Sequence, residues 1–385
     1  MGRPIPFNRP HLAGNELAYI AQAHANGHLS GDGAFTKHCE QWLEQHLVVH
    51  KALLTHSCTA ALEMAVMLAG ITTGDEVIMP SFTFVSTANA VVLRGGVPVF
   101  VDIRSDTMNI DETLIESAIT SRTRAIVVVH YAGVGCDMDA VMRTANEHGL
   151  LVIEDAAQGV MSTYKGRPLG SIGQLAAISF HETKNVISGE GGALLINDRR
   201  FVERAEIIRE KGTDRSRFYR GVVDKYTWVD VGSSYLPSEL VAAFLAAQLE
   251  HADTITRARL DLWNVYHAAL APLEAADKLR RPVIPLDCNQ NAHMYYVLLG
   301  STEERTRVMT ALKRDGVHSV FHYVPLHSSP AGRKFARTEG TLVNTDAAAA
   351  RLLRLPMWLE LESDQQRVID SLVSSLGPCT ILSKT

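Results

Sequence analysis

A lysine flanked by hydrogen-bonding residues follows one of the apolar strands that the sequence predicts. Residues 176–180 form this strand, and Lys184 comes a few residues later, before the glycine-rich segment 189–192. In an open α/β sheet, residues just past the strand ends carry the chemistry. A lysine in that place is either a solvated surface charge or an amine that forms a Schiff base with an aldehyde cofactor.

An acidic pair follows another predicted strand, at residues 151–153. Glu154 and Asp155 come directly after it, and Gln158 lies one turn further, where it can face the same ligand as Asp155. A carboxylate so close to a buried strand is costly unless a cation meets it. A protonated pyridine nitrogen would be such a partner. A helix cap or an ion pair with an arginine is the alternative.

Small polar residues connect the predicted strand 52–55 to an alanine-rich helix. Ser57, Cys58 and Thr59 stand at this turn. Converging N–H groups, hydroxyls and the positive end of a helix suit a phosphate group. The glycines and the Gly-Lys-Ser/Thr of a nucleotide-binding P-loop are missing. A plain helix cap is the simpler alternative.

An aromatic residue, Phe82, opens the loop after the predicted strand 76–79. Its ring either stacks on a flat ligand ring or belongs to the core, as most single phenylalanines do.

The elements that must position these residues alternate between strand and helix. Near-continuous β-branched runs predict strands buried on both faces, so the sheet is mostly parallel and the class is α/β. After the strand 52–55, the predicted strands in chain order are 76–79, 99–101, 125–129, 151–153, 177–180 and 193–196. Composition shifts beyond about residue 251, which predicts a large domain at 1–250 and a smaller α+β domain at 251–385.

Composition excludes several classes of function. The chain has 385 residues and a net charge of −5, without a basic patch for nucleic acid or an apolar run that could span a membrane. No apolar signal core stands near residue 1, so we expect a cytoplasmic protein. Five scattered cysteines predict reduced thiols, and the histidines form no ligand cluster, so no metal is expected. No GxGxxG motif follows the first strand, which argues against a dinucleotide oxidoreductase.

Taken in order, these motifs resemble one known family. The order is Ser57-Cys58-Thr59, Phe82, residues 154–158, residues 179–181 and Lys184. The chain resembles the fold-type I, pyridoxal 5'-phosphate-dependent sugar aminotransferases of the DegT/DnrJ/EryC1/StrS family over essentially its whole length. The resemblance implies a mostly parallel, mixed seven-stranded sheet in the large domain, with an N-terminal arm. It also implies a homodimer with shared active sites.

The resemblance implies a role for each residue near the cofactor ring. Lys184 would form the Schiff base, and Asp155 would pair with the pyridinium nitrogen. Gln158 would approach the ring oxygen, and Phe82 would stack on the ring face.

Other roles implied by the resemblance concern the phosphate and the sugar. Cys58, Thr59 and Ser179 would hold the phosphate, and His327 would lie near the sugar nucleotide. The family commonly adds an asparagine from the neighbouring subunit, and Ser234 takes that place here. Cys58 stands where many relatives carry glycine. Ser234 and Cys58 are both small residues that can donate a hydrogen bond to phosphate.

A narrower resemblance points to the branch of the family that makes dTDP-4-amino-4,6-dideoxy-D-galactose. It is carried by residues 106–112, 159–166, 180–185 and 224–228. It implies amino transfer from L-glutamate to the C4 ketone of dTDP-4-keto-6-deoxy-D-glucose, which leaves 2-oxoglutarate, for lipopolysaccharide or O-antigen biosynthesis.

Alternatives stay open at this stage. They are another nucleotide, ring position or stereochemistry, and a catalytically inactive subunit that binds pyridoxal phosphate. A sugar dehydratase is a further alternative, but such relatives carry histidine where Lys184 stands.

Overall fold

An eight-stranded sheet organises residues 3–377, the part of the chain that the computed structural model describes. The strands of the described residues are β1 (Lys51–Thr55), β2 (Glu76–Pro80), β3 (Val97–Val101), β4 (Thr123–Val129), β5 (Leu151–Asp155), β6 (Thr163–Tyr164), β7 (Arg167–Pro168), β8 (Leu175–Ser179), β9 (Gly192–Ile196), β10 (Cys288–Asn289), β11 (Tyr295–Leu298), β12 (Arg337–Thr338) and β13 (Leu352–Leu355). The large sheet has the order β1-β9-β8-β5-β4-β2-β3-β12, and β9 alone runs antiparallel to its neighbours. The predicted mostly parallel, mixed sheet is confirmed, and the two-residue β12 adds an eighth strand to the expected seven.

Helices cover both faces of this sheet, and others belong to the C-terminal part. The helices of the described residues are α1 (Glu16–Ala25), α2 (Ala34–His46), α3 (Cys58–Leu68), α4 (Val85–Val92), α5 (Met138–Glu147), α6 (Val202–Arg209), α7 (Arg215–Tyr219), α8 (Glu239–Leu249), α9 (Ala252–Ala269), α10 (Ala271–Ala275), α11 (Thr302–Arg314), α12 (Pro330–Phe335), α13 (Val343–Arg351) and α14 (Glu362–Leu376). Alternate strand residues face opposite ways: Leu53 packs in the core with α3, whereas Leu54 packs with α2 and α8. This double burial explains the apolar strand sequences.

The C-terminal part has a core of its own. The helices α9, α11 and α14 pack around the antiparallel pair β11 and β13, and Ile5 of the N-terminal arm is buried in the same cluster. Segments after residue 250 also join the large sheet, since Arg337 and Thr338 pair with β3 and Leu326 lies in the core on the α3 face. The boundary at residue 250 stays a prediction.

Four of the five cysteines lie in the described residues. Cys39, Cys58, Cys136 and Cys288 are free thiols, as predicted, and Cys379 lies outside the described range. Within residues 3–377, none of the helices combines the length and the apolar character that crossing a lipid bilayer requires.

Strand order brings the predicted site residues to one edge of the sheet. The parallel strands β8, β5 and β4 end side by side at Ser179, Asp155 and Val129. Because β9 runs the other way, its first residue, Gly192, pairs with Ser179 on one side and with Thr55 of β1 on the other. The β1–α3 turn, Ser179 and Asp155 therefore share one edge, where open α/β sheets bind their ligands.

A buried carboxylate, Glu154, holds this edge from beneath. Its oxygens accept N–H bonds from Gly170, Ile172 and Gly173 at 2.9, 2.7 and 2.6 Å. His130 Nε2 donates a fourth bond at 2.8 Å, because Nδ1 of the same ring accepts from a backbone N–H. Burial acts to raise the pKa of Glu154, but these bonds outweigh it and hold the pKa below its ordinary value.

We expect Glu154→Gln to lower the free energy of unfolding by about 3 kcal/mol, because an amide cannot accept all four bonds. Denaturant unfolding at neutral pH measures this, with Glu147→Gln as an exposed control that changes it by about 0.5 kcal/mol or less. Because folding lowers the pKa of Glu154, its contribution to the free energy of unfolding is fully present above pH 4.5. That contribution is lost as the pH falls through the folded-state pKa. A difference between wild type and Glu154→Gln that grows on acidification would contradict this account.

Candidate active site

A cavity of about 570 Å³ opens at the carboxyl edge of the sheet. Its walls come from the β1–α3 turn, the ends of β5 and β8, and three segments of the C-terminal part, around residues 293, 322 and 354. Six of the predicted site residues line it: Cys58, Thr59, Asp155, Gln158, Ser179 and Lys184. Three others, Phe82, Ser234 and His327, lie outside its lining.

Lys184 reaches the cavity from the turn after β8. Its backbone N–H donates to the carbonyl of His181 at 2.9 Å, which fixes the turn. Within residues 3–377 no carboxylate oxygen lies within 4.0 Å of its amine. Burial lowers the pKa of this amine, although Cys58 and Asp155 act in the opposite direction. The site therefore destabilises the ammonium form of Lys184 relative to the neutral, nucleophilic amine, compared with a lysine in water.

Asp155 is a buried carboxylate without a cationic partner in the described residues. The Thr87 hydroxyl donates to Oδ2 at 2.7 Å, and the N–H of Ala157 donates to Oδ1 at 3.2 Å. Burial raises the pKa of Asp155, and these bonds only partly offset it. The predicted alternative of an arginine ion pair is wrong within residues 3–377. A positively charged ligand atom here would restore the charged carboxylate.

The β1–α3 turn forms a cup of backbone N–H groups. Ser57 caps α3, since its hydroxyl accepts from the N–H of Ala60 at 3.1 Å, and the first-turn N–H groups have no partner inside the helix. Gly192 packs against this turn so closely that a Cβ there would lie 2.4 Å from the Cys58 nitrogen. Thr59 bonds to the Ser86 hydroxyl at 2.7 Å. The helix cap and the anion cup are therefore compatible.

Two side chains of the cup differ in character. Burial raises the pKa of the Cys58 thiol well above its ordinary value, so it stays neutral and adds no negative charge beside an anion. The hydroxyl of Ser179 accepts only a long bond, 3.4 Å, from the N–H of His181, which leaves it able to donate to a ligand.

Gln158 is held by both ends of its amide. Its Oε1 accepts from the N–H of Ala132 at 2.7 Å, and its Nε2 donates to the Tyr323 hydroxyl at 2.9 Å. This pair of bonds fixes the amide at the cavity wall and ties β5 to the C-terminal part.

The structure separates Phe82 from the cavity and brings Phe84 to it. Phe82 is 1% exposed and packs against Tyr131 and Tyr323, with ring centroids 5.3 and 5.5 Å away. Phe84, two residues later, lines the cavity and is 57% exposed. A core ring cannot offer its face to a ligand, so Phe84 is the aromatic with a free face here.

His327 lies behind the cavity. The Ser81 hydroxyl accepts from the His327 backbone N–H and donates to its Nδ1, both at 2.9 Å, and Nε2 lies 3.5 Å from an Asp346 oxygen. These bonds anchor the 322–327 segment to the end of β2. A role for His327 at the sugar nucleotide stays a prediction.

Ser234 lines a separate depression on the protein surface, together with Lys211 and Arg215. It lies beside α6, since residues 210 and 234 form an isolated antiparallel bridge. Its delivery to a neighbouring subunit stays a prediction.

The C-terminal part contributes four cavity residues that were not predicted: His293, His322, Tyr323 and Arg354. Burial lowers the pKa of His293 and His322 well below the ordinary value, so both imidazoles are neutral. The Tyr131 hydroxyl donates to Nδ1 of His322 at 2.7 Å. Tyr323 lies close in sequence to the predicted His327 and could have been found there, whereas Arg354 lies in an ordinary-looking strand.

The residues of this cavity fit pyridoxal phosphate. The site offers an amine with a lowered pKa, a buried carboxylate that lacks a cation, an amide cup at a helix N-terminus and an exposed phenylalanine face. Each matches one part of the cofactor: the aldehyde, the ring nitrogen, the phosphate and the flat ring.

Comparison with known proteins gives a consistent result. The family model of the DegT/DnrJ/EryC1/StrS aminotransferase family matches residues 10–373. GDP-perosamine synthase of Caulobacter vibrioides is 36% identical over 96% of this chain and 97% of its own, and the spore coat polysaccharide biosynthesis protein SpsC of Bacillus subtilis is 33% identical over 94% of each. The crystal structure of the aminotransferase TlmJ from Streptoalloteichus hindustanus superposes with a TM-score of 0.88 at 30% identity, over 97% of this chain and 99% of that one.

We expect the amine of Lys184 in cofactor-free protein to react with trinitrobenzenesulfonate at a lower pH than an exposed lysine does, because burial lowers its pKa. Peptide mapping of the labelling rate against pH measures this. Lys165 is the internal control, because its hydrogen bond to Asp139 raises its pKa. Labelling of Lys184 only at or above the pH of Lys165 would contradict the assigned direction.

Proposed function

We infer the reaction from one premise: the chain belongs to the DegT/DnrJ/EryC1/StrS aminotransferase family, whose members are pyridoxal-phosphate-dependent sugar aminotransferases. We propose that it transfers the amino group of L-glutamate to the C4 ketone of dTDP-4-keto-6-deoxy-D-glucose. The products are dTDP-4-amino-4,6-dideoxy-D-galactose and 2-oxoglutarate. The observation that carries this proposal is the convergence of Lys184 and Asp155 on one cavity beside the N-terminus of α3.

The choice of substrate rests on sequence runs outside the cofactor residues. Residues 106–112, 159–166, 180–185 and 224–228 support a dTDP-linked 4-keto sugar. The last run lies in an exposed stretch, where Trp228 is 78% exposed and free to meet a large ligand or a second subunit.

We assign the cofactor contacts from the geometry of the site. Lys184 would bind the aldehyde, Asp155 the ring nitrogen and Phe84, in place of Phe82, the ring face. The backbone N–H groups of Cys58 and Thr59 would bind the phosphate. The hydroxyl groups of Thr59 and Ser179 are placed to add to them, and Gln158 is placed at the wall next to Asp155.

The chemistry divides between the cofactor and the chain. Pyridoxal phosphate supplies an aldehyde that exchanges amines and a ring that withdraws electrons from the adjoining carbon. Asp155 keeps a proton on the ring nitrogen, because its buried carboxylate is stabilised by that positive charge. The amine of Lys184, whose pKa burial lowers, takes the proton from the α-carbon of glutamate and later returns one at C4 of the sugar.

We further propose a cytoplasmic homodimer in which Ser234 of each subunit adds a hydroxyl to the phosphate site of the other. The supporting observation is that Ser234 lies on the surface of its own subunit and outside its own cavity. An amino sugar made this way would serve polysaccharide assembly, such as lipopolysaccharide or O-antigen. The relative SpsC is named for the biosynthesis of another polysaccharide, that of the spore coat.

A GDP-linked keto sugar is the second candidate. The relative GDP-perosamine synthase, named for a GDP-linked product, is 36% identical over nearly the full length of both chains. The two candidates share the cofactor chemistry and differ only in the nucleotide and the sugar configuration.

A substrate panel tests the proposal. The purified protein is incubated with L-glutamate and dTDP-, GDP- or UDP-linked 4-keto-6-deoxy sugars, and the amino sugar is identified by NMR. We expect the dTDP sugar to have the highest kcat/KM, and Lys184→Ala to make no product, because the amine that takes the proton is gone. Lys165→Ala, which removes an exposed lysine, should keep wild-type turnover.

Two outcomes of the panel would overturn different parts. A kcat/KM for the GDP sugar about tenfold or more above that for the dTDP sugar would reject the proposed substrate and leave the aminotransferase intact. An active Lys184→Ala protein would reject the role of Lys184.

We expect Asp155→Asn to lower the rate of the glutamate half-reaction by about 100-fold or more, because an amide cannot stabilise the charged ring nitrogen. The dissociation constant of the cofactor should change by about tenfold or less, since the phosphate cup holds it independently. Stopped-flow absorbance gives the rate, and equilibrium dialysis gives the affinity. Asp261→Asn, at an exposed position, is the control. A normal rate in Asp155→Asn would count against the assigned role.

A further inference from the structure

Arg354 brings a second basic side chain to the cavity. Among the cavity-lining residues of the described chain, Lys184 and Arg354 are the lysine and arginine side chains present. Lys184 has a role in the proposed reaction, whereas Arg354 has none. An arginine at the wall of a binding cavity is a candidate site for an anion.

Arg354 has no partner for its guanidinium within residues 3–377. It forms no ion pair and no side-chain hydrogen bond there, and its Nε is buried without an acceptor. The other arginines near the core are satisfied differently: Arg209 pairs with Glu40, and Arg259 donates to the carbonyls of Ala292 and His293. A buried arginine without an acceptor is costly unless a ligand supplies one.

The backbone holds Arg354 rigidly. It lies in β13 opposite Tyr296 of β11, and on its other side it exchanges two backbone bonds with Val320, at 2.8 and 3.2 Å. The ring of Phe7 covers the guanidinium, with Cζ 4.7 Å from the ring centroid. The Phe7 ring thus packs against the guanidinium, and the Arg354 side chain lines the cavity, where a planar anion such as a carboxylate can supply the missing acceptors.

The position of Arg354 distinguishes among the anions of the reaction. The cofactor phosphate would lie at the N-terminus of α3, where the N–H cup is. The α-carboxylate of an amino donor is one bond from the carbon whose proton Lys184 must take, so its anchor must lie near Lys184. Arg354 meets this condition, because it lines the same cavity as Lys184, together with His293 and His322.

We propose that the Arg354 guanidinium binds the α-carboxylate of the amino donor and so selects an α-amino acid. This inference rests on the proposed aminotransferase function and adds a donor site to it. Phe7 is a positioning residue in this site, because it contacts the guanidinium rather than the donor.

Two half-reactions of the holoenzyme, followed separately by absorbance, test the proposal. In Arg354→Met we expect kcat/KM for L-glutamate to fall about 100-fold, because a charged hydrogen-bonded pair is lost. Arg354→Lys should fall about tenfold, since a point charge replaces the fork. The reverse half-reaction with the amino sugar, which carries no α-carboxylate, should stay within about threefold of wild type in both variants.

Calorimetric binding of 2-oxoglutarate to the pyridoxal phosphate form gives a readout that needs no turnover. We expect its dissociation constant to rise about 100-fold in Arg354→Met. Arg305→Met is the matched control: Arg305 also has a buried, unpartnered Nε and stacks on an aromatic ring, Phe321 at 5.6 Å, but it lies outside the cavity lining. Its 2-oxoglutarate binding should equal that of wild type.

The remaining outcomes decide against the proposal. Unchanged 2-oxoglutarate binding and glutamate kinetics in Arg354→Met would overturn it. Selective loss of the amino-sugar half-reaction would assign the guanidinium to the diphosphate of the sugar nucleotide instead. If Arg354→Met fails to fold, Arg354→Lys carries the same test. A wild-type protein that aminates no sugar, yet binds 2-oxoglutarate through Arg354, would reject the proposed function alone.

Discussion

A buried carboxylate without a protein cation is the constraint on which this site depends. Asp155 ends a strand in the middle of the sheet, where burial raises its pKa and the Thr87 hydroxyl supplies only a neutral donor. Folding therefore leaves an electrostatic cost that a protein partner does not offset within the described residues. A ligand with a positive ring nitrogen offsets this cost. Burial of Asp155 therefore favours both binding of the cofactor and protonation of its ring nitrogen.

The sheet topology turns this single residue into a site. Because β9 alone is reversed, Gly192 fits between Thr55 and Ser179, and its lack of a side chain lets the β1–α3 turn close over the strand ends. The N–H cup at the β1–α3 turn and the carboxylate of Asp155 therefore lie at the same edge of the sheet, although they follow different strands. Glu154, adjacent to Asp155, binds three backbone N–H groups beneath this edge, which restricts movement of the carboxylate above it.

Where a polar residue directly follows a strand, the sequence pointed to residues that the structure brings to one cavity. Lys184 and Asp155 were predicted because buried strands end just before them, and the cup at Ser57 because a helix follows it. The sequence could not distinguish Phe82 from Phe84, since two phenylalanines two residues apart look alike until packing buries the first and exposes the second. Arg354 was invisible for a different reason: its importance lies in the absence of a partner, and a sequence does not show which side chains stay unpaired.

The unpaired arginine also suits the two substrates that such a reaction admits in turn. A carboxylate enters in one half-reaction and a sugar without one in the other, within a single cavity of about 570 Å³. If Arg354 were paired with a protein acid, glutamate would have to break that ion pair, at the cost of stranding a buried charge. The actual neighbours of Arg354 do not impose this cost. The Phe7 ring packs against the guanidinium, and the imidazoles of His293 and His322 are neutral, so the guanidinium stays charged and free to exchange ligands. Lack of a fixed partner is therefore what lets one wall of the cavity serve both substrates.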